Sequence, residues 1–332
     1  MYKETTIGIV VPCYNEENKI AKTITSVPGY VDTVYVIDDC STDKSLEIVR
    51  NCMERDSRIK LVQHEVNRGK GRALATGYQA VLKGGEDIAV VMDGDGQMDP
   101  EDLPDLLEPI IADQADYVKG NRFFHKVGVA PVPRVRLIGN LGLSVLTKIA
   151  SGYWHVSDTQ CGYTAMRRDF LSFIDWDTLY PRYGCPNDVL TKLNIVNARV
   201  AEVPVKAVYG KGWASKMRAH KVFFPLLALL ASLFFKRLYR KYIYLYGHVL
   251  IFCYFFSFLF FFLSALFLGV HLFSAESMGT SAVLGCIFLV SSVQMFVTSF
   301  WMDFEDNKHL CIRLTKKASA AGKNTMAYSV QE

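Results

Sequence analysis

The amino-acid sequence predicts an α/β domain with a mostly parallel sheet and helices on both faces, followed by an interfacial amphipathic helix and two transmembrane helices. Up to about Tyr209, short continuous apolar runs are separated by helical stretches. This pattern is typical of buried parallel strands and their crossover helices. Polar residues cluster directly after these runs, where open α/β sheets place their ligands. Two long apolar runs without an ionic charge then dominate the later part of the chain.

Four strands of the sheet are predicted from the apolar runs Ile7–Val11, Thr33–Ile37, Ile59–Val62 and Ile88–Met92. Helices are expected from about Glu16, from Asp43 as an N-terminal cap, and over Gly71–Leu82 after a glycine-rich turn. Because strand and helix alternate throughout, the pattern favours a doubly wound sheet over an antiparallel one.

Tyr242–Val270 and Ser281–Met302 are the two predicted membrane spans. At a rise of about 1.5 Å per residue, each can cross a hydrocarbon core of about 30 Å. The connection between them has no Lys or Arg, whereas basic residues flank both outer ends. The positive-inside rule therefore predicts an integral membrane protein whose α/β domain and both termini are cytosolic. A prokaryotic plasma membrane is favoured over the endoplasmic reticulum membrane of a eukaryote.

Val222–Phe235 is apolar but too short for a comfortable span, so we expect an interfacial helix that lies on the membrane. Basic residues on both sides of it suit anionic lipid headgroups. The alternative is a third span, which would put the two ends of the membrane region on opposite sides. The predicted organisation is therefore an α/β domain (1–210), a basic juxtamembrane segment (211–241), two spans (242–302) and a cytosolic tail (303–332).

Composition excludes some classes of function. The net charge of +4 is small and does not indicate nucleic-acid binding. None of the eight cysteines forms a Cys-x-x-Cys pair, so we expect reduced thiols rather than a disulfide framework or a zinc site. The first residues lack the apolar region of a signal peptide, so the C-terminal segments are expected to direct insertion. Both a monomer and a homo-oligomer stay open.

Asp93-Gly94-Asp95 follows the fourth predicted strand in a turn that Gly94 and Gly96 make flexible. Keeping two carboxylates this close both ionised costs free energy unless a cation lies between them. Oxygen ligands of this kind suit Mg²⁺ or Mn²⁺, which often bridge to substrate phosphates, and Gln97 is positioned to add a neutral oxygen. The competing interpretation is an ordinary acidic turn, with Asp99 capping the following helix.

The ends of the first three strands carry further candidates for a nucleotide site. Tyr14 is suited to stack on a base, and Glu16 to hydrogen-bond near it, although acidic residues also favour a helix start. Asp38-Asp39 can accept hydrogen bonds from a base N–H and a ribose hydroxyl, or can form a simple capping turn. The turn at Asn67–Arg72 is basic and glycine-rich, and its exposed N–H groups and Lys70 favour a phosphate.

These motifs occur in order and at regular intervals, and as a set they resemble family 2 glycosyltransferases with the GT-A fold, a Rossmann-like fold. More narrowly, residues 5–220 or so resemble the polyprenyl-phosphate (dolichyl-phosphate) glycosyltransferases. The resemblance implies that the nucleoside is held by Pro12, Tyr14, Glu16 and Asp39. It also implies that the metal is held by Asp93, Asp95 and Gln97.

Further segments match the same family. Gly120-Asn121-Arg122 resembles its Gly-Ser-Arg, and Arg134 and Arg136 lie where family members use basic residues for the lipid phosphate. The run from Asp158 through Gln160 to Tyr163 resembles the Asp-Thr-Gln-Cys-Gly-Phe of glucosyl-type members. Ser215-Lys216 matches a Ser-Lys that closes over the phosphates. Asn187-Asp188 departs from a Glu-rich family segment, which puts a role for Asp188 in doubt. The competing interpretation of the arginines is a solvated basic face.

The expected reaction moves a hexose or N-acetylhexosamine from a nucleotide-sugar to a polyprenyl phosphate, such as dolichyl or undecaprenyl phosphate. A lipid phosphate is already anionic, so it needs no general base but does need cations beside the nucleotide diphosphate. Arg122, Arg134, Arg136 and Lys216 suit that task. We therefore expect one inverting displacement, with UDP-glucose or UDP-N-acetylglucosamine favoured over GDP-mannose as the donor.

Three other functions compete. A processive polysaccharide synthase would carry a Gln-x-x-Arg-Trp motif, but no Trp of this chain follows an Arg. A transferase acting on a lipid or glycan hydroxyl would need a base, for which Asp158 and Asp188 are the candidates. A membrane-tethered scaffold that keeps the fold of an enzyme without its activity would lack the metal carboxylates or Lys70. This chain has all of them.

Overall fold

The computed structural model describes residues 1–124, 134–182, 184–206, 219–245, 247–273, 279–317 and 327–330. It divides into two compact units. The first combines Met1–Phe234 with Leu310–Glu332, and the second is Phe235–His309. The first unit therefore takes its residues from both sides of the segment that contains the predicted spans.

The first unit is built on a twisted sheet that has eight strands within the described residues, in the order β3-β2-β1-β4-β6-β5-β7-β8. Pairing is parallel except for β6, which runs antiparallel to both β4 and β5. The strands are β1 (Ile7–Cys13), β2 (Thr33–Asp38), β3 (Ile59–Gln63), β4 (Ile88–Val91), β5 (Tyr117–Asn121), β6 (Thr164–Arg167), β7 (Val200–Pro204) and β8 (Cys311–Ile312).

Helices cover both faces of this sheet, as predicted. In β1, Ile7, Ile9 and Val11 point into the core beneath α1, α2 and α4, whereas Val10 points into the core beneath α3, α6 and α7. Gly77 lets α3 approach closely, since a Cβ there would lie 2.1 Å from Cγ1 of Val10. The helices are α1 (Ile20–Thr25), α2 (Ser45–Met53), α3 (Lys70–Gly84), α4 (Leu103–Ile111), α5 (Arg134–Ser151), α6 (Arg168–Phe173), α7 (Cys185–Ile195) and α8 (Ala219–Arg237).

The chain returns to this sheet after the predicted spans. Cys311 and Ile312 form β8, which pairs with Val200 and Ala201 of β7. A hairpin of β9 (Leu314–Lys317) and β10 (Ala327–Val330) follows, and its Tyr328 packs into the core beside α4. The predicted cytosolic tail, 303–332, contains β8, β9 and β10, and its residues from Leu310 onwards belong to the first unit.

Helix α8 contains the predicted interfacial segment Val222–Phe235. Its Leu226, Leu230 and Leu233 are buried against α5, where they contact Ala150. Phe224 of the same helix is exposed, whereas these three leucines are buried. Contact of α8 with lipid remains a prediction.

The second unit contains α9 (Leu250–Phe273) and α10 (Thr280–Asn307), preceded by a π-helical segment at Leu238–Leu245. Two helices of the described chain, Leu250–Phe273 and Thr280–Leu310, are long and apolar enough to cross a membrane. The first apolar helix begins at Leu250 rather than at the predicted Tyr242, which lies in the π-helical segment.

Small residues line the contact between α9 and α10. Ser257 Oγ donates to the Ser292 carbonyl at 3.0 Å, and Ser292 Oγ donates back to the Ser257 carbonyl at 2.8 Å. Ser264 donates to the Gly285 carbonyl at 2.8 Å, and a Cβ on Gly285 would lie 2.7 Å from Leu268. Phe288 of α10 contacts the rings of Phe260 and Phe267 of α9, whereas other phenylalanines of the two helices, such as Phe262 and Phe273, are exposed.

A buried polar cluster joins the π-helical segment to the end of α10. The Arg237 guanidinium forms two hydrogen bonds of 2.7 Å with the Asp303 carboxylate, and neither side chain is more than 2% exposed. Tyr242 Oη donates to Asp303 at 2.7 Å, and Asn307 donates to Tyr242 Oη at 2.9 Å. Lys241 Nζ donates to Asn307 at 2.8 Å. These five residues are called the Arg237–Asp303 cluster below.

Candidate active site

The predicted nucleotide residues lie on two loops at the carboxyl ends of β1 and β2, and the loops are hydrogen-bonded to each other. The Asn15 N–H donates to Ser41 Oγ at 3.0 Å, and Asn15 Oδ1 accepts from the Thr42 N–H at 2.8 Å. The Glu16 N–H donates to Ser45 Oγ at 2.8 Å. Asn15 adopts a φ of 55°, which Asn tolerates better than most residues. The loops thus hold Pro12, Tyr14 and Glu16 beside Asp38 and Asp39.

Asp38 and Asp39 have different surroundings. Asp39 accepts hydrogen bonds from His64 Nδ1 at 2.8 Å and from the N–H groups of Arg68 and Gly69 at 2.9 and 2.8 Å. It therefore ties the basic glycine-rich turn to the end of β2. Asp38 Oδ1 is buried and has no hydrogen-bond partner in the part of the chain that the structure describes. Of the two carboxylates, Asp38 has the oxygen that still needs a donor.

The predicted metal pair lies at the end of β4, beside the turn that carries Lys70. Lys70 Nζ lies 2.7 Å from Asp93 Oδ2, whereas Asp93 Oδ1 is buried without a hydrogen-bond partner among the described residues. Asp95 accepts from the Gln97 N–H at 3.1 Å. Burial and the neighbouring Asp93 raise the pKa of Asp95, because they outweigh the Gln97 N–H and the nearby lysines that favour its charged form.

This arrangement fits a divalent cation. The orphaned Asp93 oxygen and the destabilised Asp95 carboxylate both gain from a positive charge between them. Within the described ranges, no group of three or more His, Cys, Asp or Glu side chains converges, so two protein carboxylates would be completed by other oxygen donors. Magnesium sites that keep water and substrate phosphate ligands are built in this way.

Gly162 forms the wall of the site beside Asp93. A Cβ at this position would lie 2.8 Å from Asp93 Oδ2 and 3.3 Å from Lys70 Nζ. Both contacts are tighter than side chains normally make, so a larger residue would displace the carboxylate or the ammonium. Gly162 thus lets the loop approach the metal pair.

The change Gly162→Ala is expected to weaken metal-dependent binding of the nucleotide-sugar by about tenfold, because the new methyl group displaces Asp93. Isothermal titration of the purified protein with Mn²⁺ and nucleotide-sugar measures the effect. Gly29→Ala is the matched control, since a Cβ on Gly29 has no atom within 4 Å. Equal affinities in the two variants would contradict the assigned role of Gly162.

Arg122 and Asp158 form a bidentate ion pair. Arg122 Nε and Nη2 donate to the two Asp158 oxygens at 2.7 and 2.9 Å, and the Asp158 side chain is only 2% exposed. Burial alone would raise the pKa of Asp158, but the guanidinium outweighs it, and the pKa lies below the ordinary value. Asp158 therefore stays ionised and fixes the direction of Arg122.

Gln160 and Asp188 each form a hydrogen bond at the start of α7. Gln160 Nε2 donates to Asn187 Oδ1 at 3.2 Å. Asp188 is buried, and its Oδ2 accepts the Tyr180 N–H at 2.8 Å. The first turn of α7 thus contributes to the wall of the same site, and Asp188 has a local structural partner.

Some predicted residues cannot be located by their side chains. Arg134 and Arg136 lie in the first turn of α5, where the structure describes the backbone only. Ser215 and Lys216 lie outside the described residues. Their roles stay predictions.

Sequence analysis missed Lys119 and Glu202, which lie beneath this site; the available signal was a lysine inside the apolar strand Tyr117–Asn121.

Comparisons with known proteins agree with this geometry. Residues 8–174 match the family model described as Glycosyl transferase family 2. The chain is 30% identical over 242 residues to the UDP-N-acetylglucosamine–dolichyl-phosphate N-acetylglucosaminyltransferase of Methanococcus voltae, covering 67% of this chain and 95% of that protein. It is 30% identical over 211 residues to the undecaprenyl-phosphate mannosyltransferase of Micrococcus luteus, covering 63% and 86%.

Solved structures show the same fold. Glucosyl-3-phosphoglycerate synthase from Mycobacterium tuberculosis, in complex with Mn²⁺, UDP-glucose and phosphoglyceric acid, superposes with a TM-score of 0.52 at 22% identity. The superposition covers 70% of this chain and 80% of that one. The expected GT-A fold and the expected family are both confirmed. Because the family model spans half of the sequence and a relative is matched over nearly its whole length, this chain belongs to glycosyl transferase family 2 and is a glycosyltransferase.

Proposed function

We propose that this enzyme transfers a hexose or N-acetylhexosamine from a nucleotide-sugar to a polyprenyl phosphate, with inversion at the anomeric carbon. The observation that carries the proposal is the state of the two carboxylates that could serve a hydroxyl acceptor as general base. Asp158 is buried and paired with Arg122, and Asp188 is buried and accepts a backbone hydrogen bond.

A general base must reach the proton that it removes and must hold a pKa near the working pH. Asp158 meets neither condition, because both its oxygens are bonded to a guanidinium that lowers its pKa. A lipid phosphate is anionic without any base, so the same arrangement serves it well. Arg122 is held in one direction by this ion pair, and we expect Arg134, Arg136, Ser215 and Lys216 to supply the uncompensated positive charge of the phosphate site.

The donor would be bound by residues at the ends of the parallel strands. Asp38, Asp39, Tyr14 and Glu16 would contact the nucleoside, and Lys70 would lie beside the diphosphate. Asp93, Asp95 and Gln97 would hold Mg²⁺ or Mn²⁺, which supplies charge neutralisation for the leaving diphosphate. A bound cation fits Asp93, whose Oδ1 otherwise has no partner among the described residues.

A UDP-linked glucose or N-acetylglucosamine is the favoured donor. The Methanococcus relative is described as using UDP-N-acetylglucosamine, and a relative from Trichomonas vaginalis, 27% identical over 216 residues, is described as a dolichyl-phosphate β-glucosyltransferase. GDP-mannose is the alternative, supported by the Micrococcus relative, which is described as a mannosyltransferase.

The chain connectivity supports a membrane hairpin. Residues before Phe235 and from Leu310 onwards build one compact unit, in which β8 pairs with β7. Two segments of one sheet lie on the same side of a membrane, so the chain between them crosses an even number of times. With the basic flanks, this supports a cytosolic enzyme unit beside the lipid phosphate.

Purified full-length protein in detergent or nanodiscs should transfer labelled sugar to polyprenyl phosphate but not to the matched polyprenol, which differs only in lacking the phosphate. UDP-N-acetylglucosamine, UDP-glucose and GDP-mannose are compared in parallel, and NMR of the product reports the anomeric configuration. Transfer to polyprenol at a comparable rate would refute the proposal in favour of a hydroxyl acceptor. Product with retained configuration would refute the single displacement.

A further inference from the structure

A lysine is completely buried beneath the active site. Lys119 lies in the middle of β5 with 0% of its surface exposed, and its Nζ donates to the carbonyl oxygen of Cys161. Burial lowers the pKa of Lys119, while the carboxylates of Asp158 and Glu202 act in the opposite direction. Burying an ammonium is costly unless it is paired, so an apolar side chain would be the ordinary occupant of this position.

Glu202 lies directly across from Lys119 in the sheet. The parallel pairing of β5 with β7 sets Lys119 opposite Glu202. Glu202 Oε1 accepts the N–H groups of Ser157 and Asp158 at 2.9 and 3.0 Å, and Oε2 accepts Asn121 Nδ2 at 2.8 Å. Glu202 therefore holds the start of the same loop whose later carbonyl is held by Lys119.

The loop Asp158–Gly162 connects the two halves of the active site. At one end, Asp158 holds the guanidinium of Arg122. At the other end, Gly162 lies against the Asp93 carboxylate and Lys70. A shift of this loop would therefore move Arg122 on the proposed acceptor side. The same shift would press Gly162 against Asp93 and Lys70 on the donor side.

We propose that Lys119 and Glu202 are positioning residues that clamp the Asp158–Gly162 loop from below and so fix Arg122 relative to Asp93. The roles of Arg122 and Asp93 rest on the proposed function. The clamp uses two charged side chains on neighbouring strands because each bonds a backbone group of the loop, which an apolar packing residue cannot do. Neither residue touches substrate; both act through the loop.

The test compares Lys119→Met and Glu202→Gln in the full-length enzyme. Methionine fills a similar volume but cannot donate to Cys161. Glutamine keeps one acceptor but sets its NH₂ against that of Asn121. We expect each variant to raise the KM for polyprenyl phosphate by about tenfold or more and to weaken nucleotide-sugar binding with Mn²⁺, since misplacement by about 1 Å is costly to a reaction of two positioned substrates.

Glu86→Gln is the matched control. Glu86 is also a buried carboxylate, and it accepts a hydrogen bond from Tyr35 at 2.9 Å, ahead of β4 rather than at the site. It should lower the melting temperature and leave both substrate constants at their wild-type values. Unchanged substrate constants in a folded Glu202→Gln or Lys119→Met variant would overturn the clamp.

The two proposals fail in different ways. If the wild-type enzyme does not use polyprenyl phosphate, the proposed function fails. The affinity for nucleotide-sugar with Mn²⁺ still tests the clamp in that case, since Gly162 contacts Asp93 whatever the acceptor is. If wild type turns over polyprenyl phosphate and the variants match it in KM and affinity, the clamp alone fails.

Discussion

Replacing Asp95 by alanine is expected to abolish metal-dependent sugar transfer, with kcat/KM lowered by about 10³-fold or more. Without Asp95, Asp93 keeps its ion pair with Lys70 at 2.7 Å, and that neutral pair no longer attracts a divalent cation. Removing a carboxylate whose charged form is destabilised by burial should not harm the fold. The measurement is transfer rate against Mn²⁺ or Mg²⁺ concentration, together with nucleotide-sugar affinity.

Asp99→Ala is the control in the same loop. Asp99 accepts the Glu101 N–H at 3.0 Å as a helix cap, so its loss should cost about 1 kcal/mol of stability and leave the metal response intact. Near-normal metal-dependent activity in Asp95→Ala would eliminate the assigned metal pair.

Replacing Asp303 by alanine is expected to be the most destabilising single change in the second unit, by about 3–5 kcal/mol. It leaves the Arg237 guanidinium buried without its bidentate partner and removes one of the two carboxylates to which the Tyr242 hydroxyl donates. The double variant Arg237→Met with Asp303→Leu removes both charges and should recover most of the loss, because the cost comes from a buried charge that has lost its carboxylate partner. Thermal unfolding in detergent compares the wild type with both variants.

Glu305→Ala provides the comparison at the same end of α10. Glu305 pairs with Lys308 at 3.1 Å, but both side chains are more than half exposed, so this pair should contribute less than about 1 kcal/mol. A melting temperature for Asp303→Ala as high as that of Glu305→Ala would rule out a structural role for the Arg237–Asp303 cluster.

Local patterns in the sequence predicted the first half of the sheet well. The four apolar runs became β1 to β4, with the polar motifs at their ends, because buried parallel strands need continuous apolar residues and short connections. The antiparallel β6 and the late strand β8 were not predicted. Each is short, and its place depends on pairing with residues far away in sequence, for which no local period exists.

Local patterns also predicted part of the candidate site. Asp93 and Asp95 follow a strand that the pattern identifies, so their convergence with Lys70 could be expected. The difference in hydrogen bonding between Asp38 and Asp39 could not be predicted, because it depends on His64 and on the backbone N–H groups of Arg68 and Gly69. Lys119 and Glu202 escaped notice because their importance arises from a strand register.

The late arrival of β8 and Tyr328 has a consequence for how this enzyme is made. The ribosome completes β1 to β7 first, then both apolar helices, and only then the residues that cover the open edge of β7 and fill the core beside α4. The catalytic sheet therefore reaches its final form only after both apolar helices have been synthesised. Under the proposed membrane insertion of these helices, biosynthesis would couple maturation of the active enzyme to its delivery to the bilayer, where the proposed lipid substrate is found.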